Sequence, residues 1–279
     1  MKTLRHVVQA QPAQDGAGVK IHRLAGPALQ AVMNPFLMID EINSDNADDY
    51  LAGFPEHPHR GFETITYMKT GKMKHRDHMG NEEVIGSGDV QWMTAGRGVL
   101  HSEMPEQEAG LMHGFQIWLN LPAAEKMKPA KYQELLSADI IEHQLEGGGI
   151  SRVIAGNVKI GEEDLHGPMQ ELSTEPVLLD VMLKPNESVS LELASDNGAL
   201  AFVYGGSTDE ISTRALGIYK GDGPIVLTAG SNGAELLLLS GNPIHEPIAQ
   251  YGPFVMNTRD ELEQAMRDFN DPEFLQSIA

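Results

Sequence analysis

The sequence predicts an all-β chain built from two copies of one β unit, with a short α-helix near the C-terminus. Three observations carry that prediction. Apolar residues recur with period two between Gly, Asn and Asp turns, in "TITYM", "EEVIGSGDVQWM", "FQIWLNLP", "VLLDVMLK", "SVSLEL", "ALAFVYGG", "GPIVLTAG" and "AELLLLSG". The 29 glycines and 16 prolines among 279 residues suit many tight turns, and 41% hydrophobic residues suffices for two cores. Finally, "GDVQWMTAG" at 88–96 returns as "GDGPIVLTAG" at 221–230, and Tyr67 followed by Gly71 is echoed by Tyr204 followed by Gly206.

Taken in order, the strands of the first half end at "FQIWLNLP", and the polar stretch "PAAEKMKPAKYQELLSADI" at 122–140, with two prolines, reads as the linker. The expected domains are therefore 1–130 and 131–279. A helix is signalled once, in "TRDELEQAMRDF": Thr258 and Glu261 form a capping box, and Leu262, Ala265, Met266 and Phe269 fall on one face. That stripe is expected to pack on a sheet.

Composition removes several function classes. A net charge of −20, from 40 acidic and 20 basic residues, repels phosphate backbones and anionic lipid, so neither nucleic acid nor a membrane surface is an expected partner, whereas a protein with a basic face is compatible with it. With no cysteine there are no disulfides, thiolate metal sites or cysteine nucleophiles. The N-terminus has no apolar signal-peptide core, and the run "ELLLLSG" is far short of the roughly 20 residues that span a bilayer, so a cytoplasmic location is expected.

The chemistry concentrates in "EHPHRGFETITYM" and "TAGRGVLHSEMP". In a strand, residues i and i+2 share a face, so His57 and His59 project together, as do His101 and Glu103. If the two strands face each other, three imidazoles and a carboxylate converge. That N3O set without sulfur suits Fe, Ni, Cu, Mn or Zn, and leaves coordination positions open for substrate or O2. Glu63 has the parity of His57 and His59 and competes with Glu103 unless "HRGF" holds a bulge. His75 and His78 flank a Gly-Asn turn and read as a solvated hairpin tip; His113 reads as packed against a neighbouring strand, and "DEINSDNADDY" at 40–50 as a solvated loop. Gln116 either faces the cavity and hydrogen-bonds substrate or fills the sheet.

"HPHRGFETITYM", "GDVQWMTAGRGVLHSEMP", "FQIWLNLP" and "YGPFVMNTRDELEQAMRDF" together resemble the pirins of the cupin superfamily, from about residue 30 to the C-terminal helix. The resemblance implies a bicupin of two double-stranded β-helix (jelly-roll) barrels. One divalent metal, usually iron, would sit in the N-terminal barrel on His57, His59, His101 and Glu103, which favours Glu103 over Glu63. It also implies Phe54 and Met73 as apolar pocket walls. Thr94 stands where general cupins have proline, four residues separate Gly96 from His101, and no Asn follows; pirins share all three departures. Shifted by 134 residues, the histidine positions fall near "SVSLEL" and "ELLLLSG", which contain none, so the second barrel is expected to be metal-free.

Two functions are implied. One is a quercetin 2,3-dioxygenase-type enzyme that cleaves a flavonol-like aromatic substrate with O2, Glu103 being both ligand and the base for the 3-hydroxyl proton. The other is a non-catalytic, metal- or redox-dependent regulator that binds a transcription factor or metabolic enzyme.

Overall fold

The computed structural model describes residues 1–193 and 197–278. Strands dominate, as the period-two pattern predicts, and the chain falls into two compact units.

The unit bearing the histidines comprises residues 12–26, 36–137 and 244 onward. Its larger sheet has seven antiparallel strands in the order Lys131–Leu135, Val90–Thr94, Phe62–Thr70, Met112–Asn120, Phe36–Ser44, Val19–Ala25 and Gln11–Asp15. Its smaller sheet runs Phe54–His59, Val99–Pro105, Met73–Asp77 and Glu82–Ile85. One core joins them: Val19, Ile21, Ile42, Met68 and Met112 from the larger sheet pack with Met73 and Ile85 from the smaller. This is the two-sheet arrangement of a jelly roll, with period-two alternation sending one set of side chains inward.

The other unit comprises residues 1–11, 27–35 and 138–243 and is organised around a ten-stranded sheet. The alternation is clear in Ser188–Leu193, where Val189, Leu191 and Leu193 are buried while Ser188, Ser190 and Glu192 are exposed. Those three join Leu179, Val181, Val203, Leu236 and Leu238 in one apolar core.

The units do not follow a single cut near residue 130. The Lys131–Leu135 strand lies inside the expected linker yet completes the edge of the histidine sheet by pairing with Val90–Thr94. Thr3–Gln9 pairs with Ala215–Lys220 and belongs to the other unit, while the C-terminal helix belongs to the histidine unit. The reason is pairing partners far apart in sequence, which composition does not encode. The helix itself spans Arg259–Asp268 and carries the expected capping box, Thr258 accepting from Glu261 N–H and Glu261 accepting from the Thr258 N–H. Leu262 and Ala265 bury against Phe254 and Met256 of a two-stranded ladder. Among the described residues two further α-helices, Pro27–Met33 and Pro272–Ile278, are too short for the sequence pattern to reveal. No helix among the described residues is long and apolar enough to cross a membrane.

Candidate metal centre

The Phe54–His59 strand lies at the edge of the four-stranded sheet, where Pro55 and Pro58, which lack an N–H, are tolerated. It pairs with Val99–Pro105 so that His57 stands opposite His101 and His59 opposite Val99. The three imidazoles converge: His57 Nε2 is 3.0 Å from both His59 Nε2 and His101 Nε2. Candidate ligand atoms of these three residues all lie within 4.8 Å of one another.

Backbone carbonyls dictate how two of the rings are protonated. His57 Nδ1 is 2.8 Å from the Pro55 carbonyl and His59 Nδ1 is 3.4 Å from that of Pro253. A carbonyl only accepts, so each Nδ1 donates there, and in the neutral tautomers this leaves Nε2 lone pairs facing each other across 3.0 Å. Facing lone pairs repel, and a cation between them converts the repulsion into coordination. Metal–nitrogen bonds of about 2.0–2.1 Å at right angles would set adjacent donors about 2.9 Å apart, close to what is seen. Burial, then the neighbouring imidazoles, hold His59 and His101 well below the usual histidine range, so both rings are neutral at pH 7, the form that binds metal. His101 Nδ1 is buried without a partner. The donor set fits a first-row divalent ion.

A sharp turn follows His59. Gly61 has φ of 89°, and a Cβ there would lie 2.1 Å from the Val255 carbonyl oxygen, so only glycine fits. Phe62 then opens a strand of the other sheet, and the parity that linked Glu63 to the histidines ends at the turn. Glu63 is buried and occupied: it accepts from Trp92 Nε1 at 3.0 Å and Thr94 Oγ1 at 2.6 Å, with Lys128 Nζ at 3.4 Å. Arg60, inside the turn, is also buried. Its Nε donates to the Arg97 carbonyl at 2.6 Å, its Nη1 pairs with Asp268 at 2.7 Å, and its guanidinium lies over the rings of Phe269 and Phe274. Lys126 Nζ donates to the Gly61 carbonyl, Asn120 Oδ1 and the Val255 carbonyl at 2.7, 2.7 and 3.0 Å, while burial pushes its ammonium down to about 8.

Glu103 is 3% exposed and lies two residues past His101 on its strand, yet its carboxylate does not come within 4.8 Å of all three imidazole donors. Instead Oε1 accepts from Thr66 Oγ1 and Oε2 from Gln116 Nε2, each at 2.8 Å. Gln116 thus meets Glu103 inside the unit. Met73 is buried in the core beneath, among Met68, Ile85 and Met112, and Phe54 packs against that core.

His75 is the neighbour that sequence reasoning missed. It is fully buried, not at a solvated tip, because Met73, His75 and Asp77 alternate inward along the strand while Lys74 and Arg76 point out. The alternation in "MKHRD" was the available signal. Its ring lies 5.3 Å from that of His101 and 4.9 Å from that of Tyr132; Nδ1 accepts from Gln91 Nε2 at 2.8 Å, and Nε2 faces Asp77 at 3.3 Å. His78 is tied between the Leu100 N–H and the Ile278 carbonyl. His113 meets Glu41 at 3.1 Å. The acidic stretch expected as a loop begins as strand: Asp40 is buried and paired through both oxygens with Arg23, burial pushing its carboxyl up to about 6 against the guanidinium's pull.

Comparison with known proteins agrees with this architecture. The pirin profile matches residues 18–119, and the profile described as the pirin C-terminal cupin domain matches 178–275. The chain belongs to the pirin family. A Pseudomonas aeruginosa relative named "Putative quercetin 2,3-dioxygenase" is 45% identical, the match covering 93% of each chain. A pirin-like protein from Caulobacter vibrioides is 43% identical, with 96% of this chain and 97% of that one covered. Among solved structures, a quercetin 2,3-dioxygenase from Acinetobacter baumannii superposes with a TM-score of 0.88 at 32% identity, over 98% of each chain. The bicupin architecture expected for a pirin is shared with that structure.

Proposed function

We propose that this pirin is a metal-dependent oxygenase of the quercetin 2,3-dioxygenase type. His57, His59 and His101 would hold one divalent ion, iron by family resemblance, with Glu103 as fourth ligand and base. The observation that carries the metal site is the meeting of three imidazole Nε2 atoms, those of His59 and His101 each 3.0 Å from that of His57, with Nδ1 of His57 and His59 turned to backbone carbonyls. The reaction class is supported by the relatives named as quercetin 2,3-dioxygenases.

Bound metal would supply Lewis acidity toward a flavonol 3-hydroxyl and an O2-binding centre. The chain's own part is to hold the imidazoles neutral and oriented, and to offer Glu103 as acceptor for the 3-hydroxyl proton. A buried carboxyl group whose two oxygens are each held by a side-chain donor is a positioned proton acceptor of the kind that proton abstraction needs.

Metal analysis of protein purified without a histidine tag, followed by quercetin turnover with O2 uptake and carbon monoxide detection, tests the reading. One equivalent of metal with turnover supports it. Stoichiometric metal with no uptake for any flavonol would instead favour the regulatory role, in which the −20 net charge selects a partner with a basic surface.

A further inference from the structure

Glu103, Thr66 and Gln116 form a three-residue hydrogen-bonded cluster that joins the two sheets of the histidine unit. Thr66 and Gln116 are cross-strand partners on Phe62–Thr70 and Met112–Asn120, so their side chains lie side by side on one face of the larger sheet. Glu103 reaches them from the smaller sheet, and both its oxygens are taken. Thr66 Oγ1 also lies 3.2 Å from Gln116 Oε1. A hydroxyl has one proton, and here it has two acceptors: the carboxylate at 2.8 Å takes it in this structure, and the amide oxygen is the alternative.

The geometry points to Thr66 and Gln116 as positioning residues that give Glu103 a station off the histidine triad, in competition with the metal. This rests on the proposed reading of His57, His59 and His101 as ligands. In the latched state the carboxylate is satisfied by two charge-assisted bonds. When Glu103 swings toward the triad, the Thr66 proton turns to Gln116 Oε1, so the hydroxyl and the amide oxygen it leaves behind remain paired. The latch therefore sets how readily Glu103 becomes a ligand, and provides the place to which it returns when substrate displaces it. One charge-assisted hydrogen bond shifts an equilibrium by roughly ten- to a hundredfold, and the turning hydroxyl offsets part of that, so the lower figure is expected.

The test is titration of metal-free protein with Ni(II) against a competing chelator, for wild type, Thr66→Val, Thr66→Ser and Gln116→Met. Thr66→Val keeps the shape and removes the donor, and should bind Ni(II) about tenfold more tightly. Gln116→Met should tighten binding in the same direction, and Thr66→Ser, which keeps the hydroxyl, should match wild type. Thermal unfolding identifies any variant that has lost its fold, in which case the remaining donor-deleted variant decides. Unchanged or weaker Ni(II) binding in a folded donor-deleted variant overturns the latch while leaving the triad intact. Wild-type protein that takes up no Ni(II) overturns the triad reading and the latch with it.

Discussion

Replacing Lys126 by Met tests how the turn after His59 is held. The methionine fills similar volume but removes three donors that serve the Gly61 carbonyl, the Asn120 side chain and the Val255 carbonyl. Leaving a buried acceptor without a partner costs about 1–3 kcal/mol, so three cost about 3–9 kcal/mol before relaxation. Against this stands the relief of no longer burying an ammonium: its fall from 10.5 to about 8 corresponds to about 3 kcal/mol. A net destabilisation of about 3 kcal/mol is expected. The sign with pH follows from the same displacement. Between about 8 and 10.5 the unfolded chain still holds the lysine proton and the folded chain has released it, so wild-type stability rises with pH across that window. Lys126→Met lacks this contribution, and the gap between the two proteins should widen from pH 7 to pH 9.5. Urea unfolding followed by tryptophan fluorescence reads it directly, since Trp92 and Trp118 both lie in the histidine unit. A variant as stable as wild type, or a gap that narrows with rising pH, would refute the reasoning.

Three further outcomes are expected. His57→Ala and His101→Ala should each lose bound metal in elemental analysis while circular dichroism stays near wild type, because the apolar core between the sheets buries far more surface than one metal site organises. Glu103→Gln should keep metal at reduced affinity while flavonol cleavage, followed by O2 uptake, falls about 10²-fold, with partial recovery at higher pH as the substrate ionises by itself. Arg60→Lys should loosen the C-terminal helices despite keeping the charge, since an ammonium cannot reach the Arg97 carbonyl and Asp268 while stacking on Phe269 and Phe274; faster amide exchange across 259–278 would show it.

The meeting of His57, His59 and His101 was legible because its logic is local: His57 and His59 are two residues apart, so period-two geometry aims them at one face, and His101 stands across from His57. The parting of Glu63 from the histidines was not local: it depended on the turn at Gly61, whose need for glycine comes from Val255, almost two hundred residues away. His75 was readable from "MKHRD" but was outvoted by the Gly-Asn turn beside it. Thr66, Arg60 and Lys126 carried no signal, because what makes each of them matter is a partner from another strand or from the C-terminal segment. The terminal helix was recognisable from its capping box and apolar stripe, whereas the unit it joins was not, for a stripe specifies that a surface must be covered and not which one.

The exchange of chain ends between the two units bears on the order in which the protein can mature. The histidine unit needs residues 244 onward: Pro253 and Val255 bond to the turn after His59, and Asp268 neutralises Arg60. During synthesis these residues leave the ribosome well after His57, His59 and His101, so the histidine region cannot acquire its final form until residues 244–268 have emerged as well. The N-terminal strand likewise waits for Ala215–Lys220. Neither unit corresponds to a contiguous stretch of gene, and expressing either half alone would leave a β-edge or the arginine turn without its covering segment. A ribosome stalled before residue 244 should accordingly display a nascent chain whose histidine region is still open to protease, and emergence of the segment carrying Pro253, Val255 and Asp268 should close it.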